Sequence, residues 1–233
     1  VPFPRLKPFM RRGEVSIITQ SGGVGLSILN HMAAEGLGLN KFSSAGNMLN
    51  INAEDLLEYY IVDEGTEIIF VFRESIGDGR RLMDLARRSP KPILVLKSNI
   101  GRLGRNIAAS HTASLSSDDR VVDAAFRQCG ITRVHDVTTL SQYMKALRLP
   151  PLKNKRLAII SRSGGHAIVA AEACETVGFE LAEFPESFIQ EIDKHFRASV
   201  IKLTNPLDLG DLFDLDVYYR IVEETLAQAN VDG

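Results

Sequence analysis

The sequence predicts an α/β protein made of two consecutive parallel-sheet units, the second of them incomplete. Three observations carry this. Short β-branched apolar runs alternate with stretches of helical periodicity. A proline-containing break interrupts the pattern near Pro150. The stretch Val15-Ser16-Ile17-Ile18-Thr19-Gln20-Ser21-Gly22-Gly23 is nearly repeated by Leu157-Ala158-Ile159-Ile160-Ser161-Arg162-Ser163-Gly164-Gly165.

Residues 1–12 are an irregular, proline-containing lead without the apolar stretch of a signal peptide. Residues 15–19, 68–72 and 93–96 are apolar runs, the pattern of strands covered on both faces. Helices are expected over 23–35, 53–62 and 79–88. In the second of these, Asp55, Glu58 and Asp63 alternate with Leu56, Leu57, Tyr59 and Tyr60 at helical spacing. Residues 97–117 are polar and contain glycine. They are too long for an ordinary turn, so the loop is either disordered or functional. A helix follows over 117–128, with Asp118 and Asp119 in its first turn, where negative charge suits the positive helix end. Another covers 137–148.

Residues 149–155, Leu-Pro-Pro-Leu-Lys-Asn-Lys, read as a linker, which gives domains over 1–150 and 151–233. The second opens with a strand over 157–160 and continues with helices over 165–177, 186–196 and 215–230. The sequence stops at Val231-Asp232-Gly233, where another strand is expected. The second unit is therefore expected to be partial and the chain to be a piece of a longer protein. A sheet edge left open in this way favours a homodimer.

Hydrophobic residues at 45% and charged residues at 24% fit a soluble globular protein, and with a net charge of -2 nothing points to nucleic acid as a partner. No apolar run approaches the roughly 20 residues of a membrane helix. Cys129 and Cys174 each lie in an apolar helical pattern and read as buried reduced thiols. The five histidines lack the close spacing of a zinc motif. A cytoplasmic protein with no metal site of its own is expected.

The repeat points to phosphate. Ile17, Ile18, Ser21, Gly22, Gly23 and Gly36 recur in register as Ile159, Ile160, Ser163, Gly164, Gly165 and Gly178. Each unit thus begins with a strand, a Ser-Gly-Gly turn, a helix, and a glycine able to end it. Glycines let the backbone approach a ligand, and a serine at the N-cap offers a hydroxyl. The free N–H groups of a helix start attract anions, with about half a positive charge from the macrodipole. A single Ser-Gly-Gly also makes a good βα turn; its duplication favours anion binding.

The long loop contains Ala108-Ala109-Ser110-His111-Thr112-Ala113-Ser114. Small neighbours leave room for a ligand, and loops at the carboxyl ends of strands are where α/β sheets bind ligands. An imidazole nitrogen is a good nucleophile near neutral pH and can take up a phosphoryl group. Such a residue needs a partner for its second nitrogen. Glu74, just past the strand over 68–72, is the candidate. A lone loop histidine is more often exposed or structural, and a lone glutamate is more often a surface charge. His166 adjoins the second turn and is a rival, but the first turn of a helix disfavours an imidazolium. His31, His135 and His195 read as helix-face or loop residues without chemistry.

Taken together, these segments resemble ADP-forming acetate–CoA ligases and other NDP-forming acyl-CoA synthetases, a family similar to succinyl-CoA synthetase. The matching segments are Gln20-Ser21-Gly22-Gly23, Ser44-Ala45-Gly46-Asn47, Arg73-Glu74-Ser75-Ile76, Lys97-Ser98 and Ala108-Ala109-Ser110-His111-Thr112. Ser163-Gly164-Gly165 and Asn205-Pro206-Leu207-Asp208-Leu209 add to them. The resemblance implies two flavodoxin-like domains. It implies a loop histidine that is phosphorylated, here His111, and a glutamate bonded to it, here Glu74. It also implies phosphate held by two helix N-termini, here Ser21-Gly22-Gly23 and Ser163-Gly164-Gly165.

The reaction implied is acyl-CoA + ADP + phosphate ⇌ acid + CoA + ATP, with a small carboxylic acid or its acyl-CoA as substrate. A CoA-binding domain and an ATP-grasp domain, in this or another chain, would be the partners. No cofactor is expected on this region alone; CoA, ATP or ADP and Mg²⁺ belong to the complete enzyme. Three places depart from the family pattern. Ala113 and Ser75 stand where glycine is usual, and Ser161-Arg162-Ser163 stands where Thr-Asn-Ala is common. A non-catalytic regulatory module of an acetyltransferase-type protein and an anion-binding assembly domain are the rival readings.

Overall fold

The computed structural model describes residues 10–48, 50–101, 104, 118–194, 204–210 and 212–233. The chain divides into two units, one ending at Leu149 and the other beginning at Pro150.

In the first unit five strands form one parallel sheet. They are β1 (Arg11–Thr19), β2 (Gly38–Ser44), β3 (Ile68–Arg73), β4 (Ile93–Lys97) and β5 (Thr132–Val134). Their order is β2-β1-β3-β4-β5, the flavodoxin-like order. The helices are α1 (Gly22–Ala34), α2 (Ala53–Val62), α3 (Gly79–Arg88), α4 (Asp119–Cys129) and α5 (Val137–Ala146).

Side chains alternate across each strand, so the sheet presents two apolar faces. On one face Ile17, Phe70 and Leu94 pack with Ile28, Met32, Leu140 and Met144 of α1 and α5. On the other, Ile18, Ile69, Val71 and Val95 meet Leu57, Leu82 and Phe126 of α2, α3 and α4. The central strand β3 is buried at every residue, which explains its unbroken apolar run.

Helix starts in this unit are fixed by side chains. Ser21, Asn52, Asp78, Asp118 and Asp136 each accept a backbone N–H at the start of one helix, and Asn52 with Asp55 forms a full capping box. Gly36 (φ 69°) follows the end of α1 and Gly130 (φ 78°) ends α4, both in the left-handed region.

Sequence patterning does not reveal β2 and β5. Both are edge strands, and an edge strand needs no continuous apolar run. β2 instead carries Asn40, which donates to Asp63 (2.8 Å) and Thr66 (3.0 Å), and Lys41, which pairs with Asp63 at 2.7 Å. The hydrogen bond from Lys41, then that from Thr66, holds the Asp63 carboxyl at about 2.

In the second unit the expected strand over 157–160 is two short strands, β6 (Arg156–Leu157) and β7 (Ile160–Ser161). β6 pairs in parallel with β8 (Glu180–Leu181), and β7 with β9 (Leu207–Asp208). The neighbour changes midway because Asn205 occupies the junction. Its Nδ2 donates to the carbonyls of Leu157 (2.7 Å) and Ala182 (2.9 Å), and its Oδ1 accepts from the Ile159 N–H (3.0 Å). On the other side of β6, Asp232 N–H donates to the Arg156 carbonyl and Ala158 N–H donates to the Gly233 carbonyl. The helices are α6 (Gly164–Thr176), α7 (Glu186–Asp193) and α8 (Leu215–Leu226). The last two end earlier than their sequence periodicity extends. Phe188, Ile192, Leu207, Leu209, Leu212 and Ile221 form this unit's core. No helix among the described residues is long and apolar enough to cross a membrane.

Candidate functional site

The carboxyl edge of the five-stranded sheet gathers the first group of candidate residues. At the end of β1, the Thr19 hydroxyl donates to the Ser21 carbonyl (2.7 Å) and accepts the Ser21 N–H (3.2 Å). That bracket folds the chain sharply into α1. Ser21 is the N-cap, with its Oγ accepting from Val24 N–H at 3.4 Å. Gly22 and Gly23 are exposed, and among the described residues no acceptor takes their N–H groups. The helix start lies close to the sheet because of Gly25. A β-carbon there would stand 2.7 Å from both Phe42 Cζ and Thr19 Cγ2.

Glu74 is the first residue after β3 and is half-buried. Its N–H donates to Gln20 Oε1 (3.0 Å) and its carbonyl accepts from Asn99 Nδ2 (3.2 Å). Among the described residues no donor takes its carboxylate. β1 and β3 are neighbours, while the chain leaves them in opposite directions along the sheet. This is the switch point, where open α/β sheets bind ligands.

A polar cavity of about 340 Å³ opens there, lined in part by Gln20, Asn47, Asn52, Arg73 and Ser75. Beneath it lies a buried ion pair, Arg73 Nη1 to Glu54 Oε1 at 3.1 Å, with side chains only 4% and 3% exposed. Burial lowers the Arg73 pKa, and Glu54 opposes that. Arg73 Nε also donates to the Ser75 carbonyl at 2.9 Å, so the pair grips the segment that carries Glu74.

His111 and residues 105–117 around it lie outside the described residues, as does His195. His31 is half-buried and bonds Ser141 Oγ at 3.2 Å, linking α1 to α5. His135 is exposed in the turn before α5, and His166 is exposed in the first turn of α6.

The second Ser-Gly-Gly turn is built on the same backbone bracket. Ser161 Oγ donates to the Ser163 carbonyl (2.9 Å) and accepts the Ser163 N–H (3.1 Å). Ser163 is the N-cap of α6, yet its side chain makes no capping bond. A carboxylate stands at this helix start instead. A β-carbon on Gly164 would lie 2.9 Å from Asp208 Oδ2, while Asp208 Oδ1 accepts from Gly210 N–H at 3.0 Å. The Arg162 guanidinium lies over the Phe213 ring, 5.1 Å from its centre. Along α6 an apolar cavity of about 570 Å³ is lined by Ala167, Ile168, Ala171, Phe179, Leu181 and Pro206, among others.

Cys129 is buried and free, as its pattern implies. Cys174 is free but only half-buried, because its side of α6 lines the apolar cavity. Among the described residues no group of three or more His, Cys, Asp or Glu side chains could hold a metal ion.

Sequence reasoning gave no role to Thr19 and Ser161, Gln20, Asn99, Asp208, or the pair of Arg73 and Glu54, although Gln20, Arg73 and Asp208 lie in segments that carry the resemblance. A signal existed for the first two, which occupy matching positions of the repeat. Asn99 gave none, since its role depends on a left-handed backbone at φ 59°.

Residues 12–147 match the model of a protein family described as the succinyl-CoA ligase like flavodoxin domain. The acetate–CoA ligase (ADP-forming) I subunit alpha of Pyrococcus furiosus is 33% identical over 218 residues, covering 92% of this chain and 47% of that protein. The acetate–CoA ligase (ADP-forming) I of Archaeoglobus fulgidus is 34% identical over 233 residues, covering 99% of this chain and 33% of that protein. Among solved structures, a similar one is the dinucleotide-forming acetyl-coenzyme A synthetase 1 of Ca. Korarchaeum cryptofilum in complex with phosphate and ADP. It superposes with a TM-score of 0.82 at 31% identity, covering 96% of this chain and 49% of that one. The chain thus spans about half the length, or less, of the relatives it matches.

Proposed function

The chain belongs to the succinyl-CoA ligase-like flavodoxin family and is similar to the alpha-subunit region of ADP-forming acetate–CoA ligases, and from that premise we propose that it carries the phosphohistidine step of an NDP-forming acyl-CoA synthetase. The observation that carries this reading is Glu74. It stands at the switch point with its backbone held on both sides and its carboxylate without a partner among the described residues.

In the proposed reaction, phosphate displaces CoA from the acyl-CoA thioester to give an acyl phosphate. A His111 ring nitrogen then attacks phosphorus. The bond from phosphorus to the acyl oxygen breaks, and the free carboxylic acid leaves. Glu74 accepts a hydrogen bond from the second ring nitrogen and stabilises the positive charge that develops on the ring. An oxygen of the ADP terminal phosphate next attacks phosphorus, the phosphorus–nitrogen bond breaks, and ATP forms.

The Ser21-Gly22-Gly23 turn offers the transferring phosphoryl group free N–H donors and a positive helix end. Ser163-Gly164-Gly165 is the second such donor set, and Asp208 beside it already offsets part of its positive field. The second unit, over 151–233, is read as a partial second copy of the flavodoxin-like fold. CoA-binding and ATP-grasp domains are the partners the family resemblance implies. Mg²⁺ travels with the nucleotide, since a phosphohistidine site needs no metal ligands of its own.

The test is turnover of the complete ligase carrying single replacements. His111→Asn is expected to abolish ATP formation, Glu74→Gln to slow it by on the order of 10²-fold, and His166→Asn to change it little. Full turnover by His111→Asn overturns the proposal and favours a regulatory or assembly role.

A further inference from the structure

We propose that Gln20 and Asn99 are positioning residues for Glu74, Gln20 extending the sheet's hydrogen-bond ladder by one rung through its side chain and Asn99 holding the Glu74 carbonyl from just past the end of β4. The proposal rests on the reading that Glu74 partners His111. β3 is flanked by β1 and β4 and ends at Arg73. On the β1 side, the last backbone rung runs from Gln20 N–H to the Phe72 carbonyl at 3.2 Å. The next acceptor along β1 is lost because the chain folds at Ser21 into a helix. Gln20 Oε1 supplies it instead, taking the Glu74 N–H at 3.0 Å. On the β4 side, the last rung runs from Ser98 N–H to the Arg73 carbonyl at 2.9 Å. The chain turns away at Asn99, whose φ of 59° is left-handed, a conformation asparagine tolerates better than most residues. Asn99 Nδ2 then donates to the Glu74 carbonyl at 3.2 Å.

Glu74 is therefore fixed through both of its backbone polar groups, from two different strand ends, while its carboxylate stays available. A catalytic group must sit close to its productive geometry, and a displacement of about 1 Å can cost on the order of 10²-fold in rate. The side chain of Gln20 also ties Glu74 to the Ser21 turn one residue further along the chain. One hydrogen bond thus couples the proposed histidine partner to a proposed phosphate-binding helix start.

The experiment uses the complete ligase with ATP, Mg²⁺, acid and CoA, and measures single-turnover phosphoryl transfer beside the KM for the acid. Gln20→Leu removes the acceptor, and Asn99→Asp removes the donor while keeping a residue that accepts the left-handed backbone. Each is expected to slow transfer by about 10-fold or more, with KM unchanged. Gln20→Glu keeps an acceptor oxygen and is expected to restore most of the rate. In the Gln20→Leu variant the Glu74 amide should exchange its hydrogen faster. The double variant Gln20→Leu with Glu74→Gln should be no slower than Glu74→Gln alone, because positioning matters only while Glu74 acts.

If Gln20→Leu and Asn99→Asp transfer at the unaltered rate while Glu74→Gln is slow, the positioning proposal is wrong and the role of Glu74 stands. Losses that multiply in the double variant overturn it as well. If Glu74→Gln itself transfers at the unaltered rate, the role of Glu74 and the positioning proposal fall together. Should Gln20→Leu fail to fold, Asn99→Asp and its double variant with Glu74→Gln decide the matter.

Discussion

Ser21 and Ser163 each precede a 13-residue helix, and each is bracketed by a hydroxyl two residues earlier, Thr19 in one unit and Ser161 in the other. What surrounds the two turns differs. The first is backed by a five-stranded sheet, a buried ion pair and the close approach at Gly25, and Gln20 just before it takes the N–H of half-buried Glu74. The second rests on two-stranded pairings, lacks a side-chain capping bond from its serine, and has a carboxylate from β9 at its helix start. A repeated sequence therefore fixes a repeated backbone turn without fixing the charge that the turn meets. At the first turn the N–H groups of Gly22 and Gly23 have no acceptor among the described residues. At the second, Asp208 already provides negative charge.

The largest effect that separates the two regions is expected from the buried pair. Glu54→Ala leaves the Arg73 guanidinium buried without its counter-ion. Breaking one side of such a pair costs about 3–5 kcal/mol. Among the described residues the second unit has no fully buried pair of this kind. Denaturant unfolding of Glu54→Ala should show that loss; a change under about 1 kcal/mol would mean the pair is solvated and does not brace the site.

Gly25 and Ala167 stand at matching positions of the two helices and sharpen the contrast further. Gly25→Ala forces a methyl into Phe42 and Thr19, an overpacking cost of about 1–3 kcal/mol. Ala167→Gly should cost about 1 kcal/mol through lost helix propensity, plus the packing of one buried methyl. Thermal melting of both variants reads the difference. A harmless Gly25→Ala would show that α1 does not need its close approach to the sheet.

The smallest effect concerns the caps. Ser21→Ala should cost about 0.5–1 kcal/mol, since its bond to Val24 is long at 3.4 Å. Ser163→Ala should cost close to nothing, because that hydroxyl caps no N–H. Equal losses at the two serines would erase the distinction.

The strands buried on both faces and the Ser21 cap of the first unit were legible in the sequence. A central strand such as β3 must be apolar throughout, and a helix start needs a short polar side chain. The edge strands β2 and β5 were not, because a strand covered on one edge only is free to carry Asn40 and Lys41. In the second unit the strand over 157–160 read as continuous. The side chain of Asn205, 46 residues beyond Ile159, divides its pairing, and no local pattern announces that. Of the candidate site, the placing of the Ser-Gly-Gly turns at helix starts and of Glu74 just past β3 was legible, because strand and turn patterns in the neighbouring residues set it. Gln20 and Asn99 were not, because they act through geometry between strands 54 and 25 residues apart in sequence from Glu74.

The central claim is that phosphate passes through a histidine in this region. The direct measurement is to incubate the complete ligase with ATP and Mg²⁺, digest it under alkaline conditions that preserve phosphohistidine, and locate the phosphoryl group by mass spectrometry. The account predicts an acid-labile, base-stable phosphoryl group on His111, absent in His111→Asn. A phosphoryl group on another residue, or label that survives in His111→Asn, would contradict it.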